Sequence, residues 1–221
     1  MSQTVVITGA NRGIGLAMAG IWKARGDRVI ATCREPSAAL ESLGVEMIDG
    51  IDVSREDGVI NLRSGLGDTS VDVLFNNAGI MRNETIEHMH YDQIREQFEV
   101  NTLGPLRVTL GLLDNLHPGS KVGLMTSRMG SIADNTSGGR YGYRMSKAAL
   151  NAAGKSLAHD LKPLGIAVAI LHPGWVQTDM TGHSGHLTAK QAATALIARM
   201  DGLSLQSSGT FWHSDGTELP W

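Results

Sequence analysis

The chain has 221 residues, 42% of them hydrophobic and 19% charged, the proportions of a folded globular protein and not of a disordered one. Its 19 lysines and arginines face 22 aspartates and glutamates, a formal net charge of −3. No polycationic surface therefore points to nucleic acid or anionic lipid as the main partner. A lone Cys33 excludes an internal disulfide, and with no CxxC pair there is no zinc or dithiol motif.

Met1-Ser2-Gln3 runs straight into Thr4-Val5-Val6-Ile7, which leaves no room for a basic region followed by an apolar secretory segment. No apolar run approaches the ~18 residues of a membrane span. The expectation is a cytoplasmic protein with no membrane partner. Short β-rich runs alternate with longer amphipathic stretches. In chain order the pattern predicts a strand over Thr4–Thr8, a helix over Gly13–Arg25, strands over Arg28–Cys33 and Val45–Ile48, and a helix over Ser54–Leu66. A strand over Val71–Phe75, a long helix over Tyr91–Leu116 and a strand over Lys121–Thr126 follow. A helix over Tyr141–Leu164, a strand over Ile166–Leu171, a helix over Thr188–Met200 and a last strand near Thr210–Trp212 complete the chain.

Val5-Val6-Ile7, Val73-Leu74-Phe75 and Ile166–Ile170 are continuously apolar, as in strands buried on both faces of a parallel sheet. Strands alternating with helices give βαβ units with right-handed crossovers. The fold expected is α/β: a doubly wound Rossmann sheet, mostly parallel and seven-stranded. No repeat, low-complexity tract or Pro/Ser linker divides the chain, so residues 1–221 read as one domain. On the helix over Tyr141–Leu164, Ala148, Ala149, Ala152, Ala153, Leu157 and Leu161 form a smooth face. That face suits either a dimer surface or packing on the chain's own sheet.

Thr8-Gly9-Ala10-Asn11-Arg12-Gly13-Ile14-Gly15 links the first strand to the first helix. Gly9 permits a tight turn, Gly13 lets backbone reach a pyrophosphate, and Gly15 allows close helix–strand packing. The N–H groups and dipole of the helix start then bind phosphates. When the cofactor is NAD, the second strand ends in an acid that accepts the ribose hydroxyls. Here it ends Ala31-Thr32-Cys33-Arg34, and guanidiniums at Arg34 and Arg12 suit a 2′-phosphate. NADP(H) is therefore favoured over NAD. Glu35, one residue on, is the competing acid, and a solvated loop cation is the competing reading of Arg34.

Tyr143-Arg144-Met145-Ser146-Lys147 places a phenol and an ammonium four residues apart on one helix face. Tyrosine titrates near ~10. A cation about 5 Å away, at an effective dielectric of ~20, contributes roughly 3 kcal/mol, a depression of around two pKa units. The pair is then a workable proton donor to an alkoxide forming from a carbonyl. Tyr141 lies six residues from Lys147 and points elsewhere.

Taken together, these motifs resemble the short-chain dehydrogenase/reductase family along essentially the whole chain. Thr8–Gly15 is similar to its cofactor turn and Asp52-Val53 to its adenine contact. Asn76-Asn77-Ala78-Gly79 resembles its fourth-strand motif, with Asn76, Ala78 and Gly79 beside the cofactor. Asn101 stands where the family's helix asparagine holds a water, and Ser127 where its serine polarises the substrate. Tyr143 and Lys147 match its YxxxK pair, and Pro173-Gly174-Trp175-Val176-Gln177-Thr178 its PGxxxT segment beside the nicotinamide. The resemblance implies hydride transfer between the nicotinamide and a carbonyl or alcohol carbon. Asn101, Ser127, Tyr143 and Lys147 would be catalytic. Gly9, Asn11, Arg12, Gly13, Ile14, Gly15, Arg34, Asp52, Val53, Asn76, Ala78, Gly79, Lys147, Pro173, Gly174, Val176 and Thr178 would bind the cofactor. The partner is a small carbonyl or alcohol, and a homodimer or homotetramer is expected.

Two departures from the family pattern stand out. Ser127 and Tyr143 are 16 positions apart, farther than is usual. The insert Asp134–Arg140 resembles that of C-factor-like and sniffer-like carbonyl reductases, and Ser131 becomes a second serine candidate. After Thr178, a short run through His183 and His186 leads at once to the Thr188 helix where many relatives insert a lid, so the mouth is expected to be open. His183 and His186 could touch substrate. Neither they nor His88 and His90 have ligands at metal spacing, and no metal is expected. Met125, Met129, Met145, Met180 and Trp175 are pocket candidates that packing explains equally well. Two other readings remain: a signalling protein that uses bound cofactor as a switch, and a methyltransferase-like protein using the glycine turn for another adenosyl ligand.

Overall fold

The computed structural model describes residues 2–221. Seven strands form one parallel sheet: β1 Thr4–Thr8, β2 Arg28–Thr32, β3 Glu46–Ile48, β4 Val71–Asn76, β5 Leu116–Met125, β6 Ala167–His172 and β9 Phe211–His213. Their spatial order is β3-β2-β1-β4-β5-β6-β9. A separate two-stranded sheet pairs β7 Val176–Gln177 with β8 Leu187–Thr188.

Both faces of the large sheet are covered, which is why its strands are apolar throughout rather than alternating. On one face Val5, Ile7, Val73 and Phe75 meet Met18, Ala19 and Trp22 of α1 (Gly13–Ala24) and Ala193, Leu196 and Met200 of α7 (Ala189–Asp201). On the other, Val6, Leu74, Leu124 and Ile170 meet α3 (Glu56–Leu66), α5 (Gly104–Gly111) and α6 (Tyr141–Leu161). Each fully buried large side chain contributes about 1.5–3 kcal/mol. Leu157 and Leu161 of the smooth α6 face belong to this second core, while Ala152 stays exposed and Ala148, Ala149 and Ala153 half-buried.

The seven predicted strands are those of the large sheet. The helix predicted over Tyr91–Leu116 is not continuous. It is divided into α4 (Tyr91–Phe98), a π-helical turn over Glu99–Leu103, α5, and a short 3-10 turn over Leu113–Asn115. Pro105 is the physical reason: it has no N–H for the carbonyl of Asn101 four residues earlier, and its ring clashes there, so the backbone widens. The fifth strand begins at Leu116, five residues before the expected start, and a register irregularity against β4 lies between Val71 and Val73. A six-residue helix, α2 (Ala38–Leu43), was not expected. Ser37 caps it by accepting from the Leu40 N–H at 3.2 Å, and Gly44 closes it in the left-handed region.

Candidate active site

Strand order reverses between β1 and β4, so the crevice of a doubly wound sheet opens at the carboxyl ends of these two strands. The glycine turn occupies it. Gly9 and Gly13 adopt φ of +66° and +57°. A Cβ on Gly9 would stand 2.8 Å from the Ala78 Cα, and one on Gly15 2.5 Å from the Gly9 carbonyl oxygen. The α1 N-terminus has no side-chain cap and no acid in its first turn, so its free N–H groups and positive dipole end face the crevice.

Neighbouring loops are fastened to this turn. The Asn77 amide donates to the carbonyls of Thr8 and Gly9 at 3.0 and 2.9 Å, and the N–H groups of Asn77 and Ala78 donate to the Thr8 hydroxyl. Sequence reasoning passed over Asn77 as a positioning residue; its place beside Asn76 in the motif was the available signal. Asn11 donates to the Glu35 carbonyl at 3.0 Å, which holds the Arg34–Glu35 loop beside the turn. Arg34 is exposed and, among the described residues, forms no ion pair. Asp52 lies within its field. Burial works to raise the Asp52 pKa, but two hydrogen bonds from Ser54 and the charges of Arg34 and Arg55 outweigh it and hold the carboxyl low. Val53 turns its side chain onto Gly104. Arg12 is not free: it pairs with Asp179 at 3.0 Å, and Asp179 also meets His183 at 3.1 Å.

Beyond β4 and β5 a polar group is buried. Ser127 follows β5 and its hydroxyl accepts from the Met129 N–H at 3.1 Å. Tyr143 lies one turn into α6 and Lys147 one turn further, both buried. The Ser127 hydroxyl acts on the phenol, favouring its ionised form against burial. Lys147 Nζ donates to the Met125 carbonyl at 2.8 Å and lies 5.8 Å from the Tyr143 ring centre. The depression of the phenol anticipated from Lys147 is not what this environment yields. Burial pushes the Tyr143 pKa up, against the Ser127 hydrogen bond and the Arg140 charge, and pushes Lys147 down to about 7.

Asn101 sits in the π-turn with its side chain fully occupied. Its amide donates to the Ile80 carbonyl at 2.8 Å and to the Ser146 hydroxyl at 3.0 Å, and its oxygen accepts from the Ile80 N–H at 2.8 Å. Asn76 donates to Thr109 at 3.2 Å. A Cβ on Gly79 would lie 3.2 Å from the Asn101 oxygen and 3.6 Å from Lys147 Nζ, so glycine keeps this corner open. Ser131 donates to the Trp221 carbonyl at 3.2 Å, away from the phenol, and Tyr141 is exposed.

The segment after β6 closes the far wall. Gly174 has φ of +89°, and Pro173 accepts from the Ser214 hydroxyl at 3.0 Å. Val176 is buried, and the Thr178 methyl would contact a Cβ on Gly13 at 3.5 Å. Trp175 is half exposed with its ring edge-on to His186, 4.6 Å between centres. His172, at the end of β6, belongs to no motif that sequence reasoning singles out. Burial pushes it down to about 3, and its ring meets that of His213 at 5.0 Å.

A family model for short chain dehydrogenases matches residues 3–188. The chain belongs to the short chain dehydrogenase family. Among its relatives is the 1-hydroxy-2-glutathionyl-2-methyl-3-butene dehydrogenase of Rhodococcus sp. (strain AD45), 43% identical over 99% of this chain and 100% of that protein. The C-signal of Myxococcus xanthus is 47% identical over 68% of this chain and 93% of its own length. The carbonyl reductase Sniffer of D. melanogaster superimposes with a TM-score of 0.90 at 32% identity, and each chain is covered fully. An NADPH-bound carbonyl reductase from chicken fatty liver gives 0.89 at 28% identity, covering 100% of this chain and 99% of the other. This short chain dehydrogenase therefore shares its fold, over its whole length, with those two carbonyl reductases.

Proposed function

We propose that the chain is an NADP(H)-dependent oxidoreductase that interconverts a carbonyl and an alcohol, with Tyr143 as the acid–base. The observation that carries this reading is the buried Ser127–Tyr143–Lys147 group, one helical turn between phenol and amine, beside a glycine cradle that a single Cβ would fill. The cradle fits a dinucleotide. Gly9, Gly13 and Gly15 with the uncapped start of α1 would hold its pyrophosphate, and Asp52-Val53 its adenine. Arg34 would hold a 2′-phosphate, with Arg12 available once it leaves Asp179. Asn76, Ala78, Gly79 and Lys147 would meet the nicotinamide ribose, and Pro173, Gly174, Val176 and Thr178 the ring. NADP-bound neighbours of the same fold support the choice of cofactor.

When bound, NADPH supplies the hydride that the protein itself cannot. Tyr143 then gives its phenolic proton to the oxygen of the reacting carbonyl, while the Ser127 hydroxyl hydrogen-bonds the same oxygen. A raised phenol pKa keeps that proton in place at neutrality, which suits reduction. Lys147 offers a charge near the phenolate left behind. The Asn101 carbonyl, which Pro105 cannot serve as an α-helical donor, is available for a water that returns a proton toward Lys147. Substrates are small carbonyl compounds or alcohols; the Rhodococcus relative is a dehydrogenase of a hydroxy compound.

The C-signal relative favours a second reading, a cofactor-binding signalling protein with little turnover. Tyr143→Phe separates the two. Oxidation of NADPH at 340 nm against a panel of aldehydes, ketones and quinones is expected to fall by about 10²–10⁴-fold, while NADPH affinity stays within roughly threefold, since the phenol oxygen is not a phosphate or adenine contact. Signalling activity untouched by the change in a protein with no turnover on the panel would establish the second reading.

A further inference from the structure

Nine of the arginines hold carboxylates in ion pairs, whereas Arg34, Arg140, Arg144 and Arg199 hold none among the described residues. Arg34 lies beside the coenzyme crevice, and Arg199 packs against Gly216. Arg144 is consumed by structure: Nε donates to the carbonyls of Gly138 and Gly139 at 3.3 and 3.2 Å, and Nη2 to the Ser137 hydroxyl at 2.8 Å. Arg140 is different. Its Nε donates to the Asn83 amide oxygen at 3.0 Å, its Nη1 meets only the Met129 sulfur at 3.9 Å, and its Nη2 has no partner among the described residues.

The position of that guanidinium is informative. Asn83 follows β4, Met129 lies in the 3-10 turn after Ser127, and Arg140 precedes the catalytic phenol by three residues. Arg140 is exposed and sits where the loops after β4 and β5 converge on Tyr143. The acids nearby are already engaged. Glu84 accepts from Gln97 at 2.6 Å and from the Gly142 N–H at 3.2 Å, and Asp134 is paired with Arg128. The backbone adds an independent sign. Gly138, Gly139 and Arg140 adopt φ of +64°, +64° and +50° in succession. Glycine fills the first two left-handed positions at no steric cost, but the third carries a large side chain in a conformation that L-residues avoid. Strain of this kind gathers at functional sites.

We propose that Arg140 reads a carboxylate on the substrate, so that the preferred substrates are carbonyl compounds bearing an anionic group, with the corresponding alcohols as products. The planar fork of Arg140 matches a carboxylate, which would take the unused Nη donors at the mouth while the carbonyl reaches Ser127 and Tyr143. This rests on the oxidoreductase reading, and the test keeps the two apart.

The probes are 4-carboxybenzaldehyde and its methyl ester, which differ in charge at one end. With NADPH, the wild-type protein is expected to favour the acid. Arg140→Gln should shrink the ratio of the two kcat/KM values by about 10–100-fold, the span of a charge-assisted contact, through KM and not kcat. Arg140→Lys should restore part of it, and unchanged NADPH affinity controls for folding. No preference for the acid in the wild type, or a preference that survives Arg140→Gln, overturns the proposal. Calorimetric titration with 4-carboxybenzyl alcohol and its methyl ester reads the same contact without turnover. Equal affinities overturn the anion site even where neither aldehyde is reduced. Tighter binding of the acid, lost in Arg140→Gln, with no turnover of either aldehyde or of any member of the aldehyde, ketone and quinone panel, keeps the anion site and overturns the oxidoreductase reading instead.

Discussion

Tyr143 and Lys147 are driven toward their uncharged forms by the same burial, which raises the phenol and brings the amine down to about 7. The direction of the resulting pH dependence follows. Below about pH 7 the amine is charged and supports the phenolate formed as the proton leaves; above it the amine is neutral and that support is lost. The reductive kcat/KM for the coenzyme, which reports the free enzyme, is therefore expected to fall as pH rises through about 7. Lys147→Arg, whose guanidinium stays charged throughout, should flatten that limb in the same measurement. At this scale the sequence spoke through spacing. Tyr143 and Lys147 four residues apart announced a shared helix face, but the electrostatics could not be read because they depend on how deeply α6 is buried. The family resemblance put Ser127 ahead of Ser131, although spacing alone did not separate them. The structure separates them by turning Ser131 to the Trp221 carbonyl.

Among the elements, the glycine turn was the most legible, since each glycine meets a steric demand that survives in the fold. Gly9→Ala tests it: left-handed backbone plus a Cβ 2.8 Å from the Ala78 Cα should cost about 1–3 kcal/mol. The checks are a lowered urea midpoint and weakened NADPH binding. The helix over residues 91–116 was the least legible. Its apolar period runs through Gly104-Pro105 without a gap, and periodicity does not register that Pro105 has no N–H to continue the helical ladder. Helix α2 was missed for another reason. Six residues between Ser37 and Gly44 are too few to show a period, although both caps are written in the sequence.

For the molecule as a whole, the alternation of strands and helices was enough to foresee a doubly wound, mostly parallel, seven-stranded sheet, but not the place where its order reverses. Which loops converge on that place was not foreseeable, because it depends on the crossovers and not on any local pattern. Bound at 100 times its Kd, NADPH would add about 2.7 kcal/mol to the native state, which for a chain of this length is about 5–10 °C in the unfolding midpoint. NADH at the same concentration should shift the midpoint less, and Arg34→Ala should bring the two shifts together. Differential scanning fluorimetry with both dinucleotides reads each outcome.

The β7–β8 pair sets how the mouth behaves. Val176 and Leu187 are ladder partners, and the His186 and Leu187 N–H groups both donate to the Trp175 carbonyl, at 2.8 and 3.1 Å. The stretch between them is a stapled rim with no slack for a swinging flap. Molecules would then come and go by plain diffusion through a standing doorway, and thickening the solvent with sucrose should slow encounter without a hinge to slow as well.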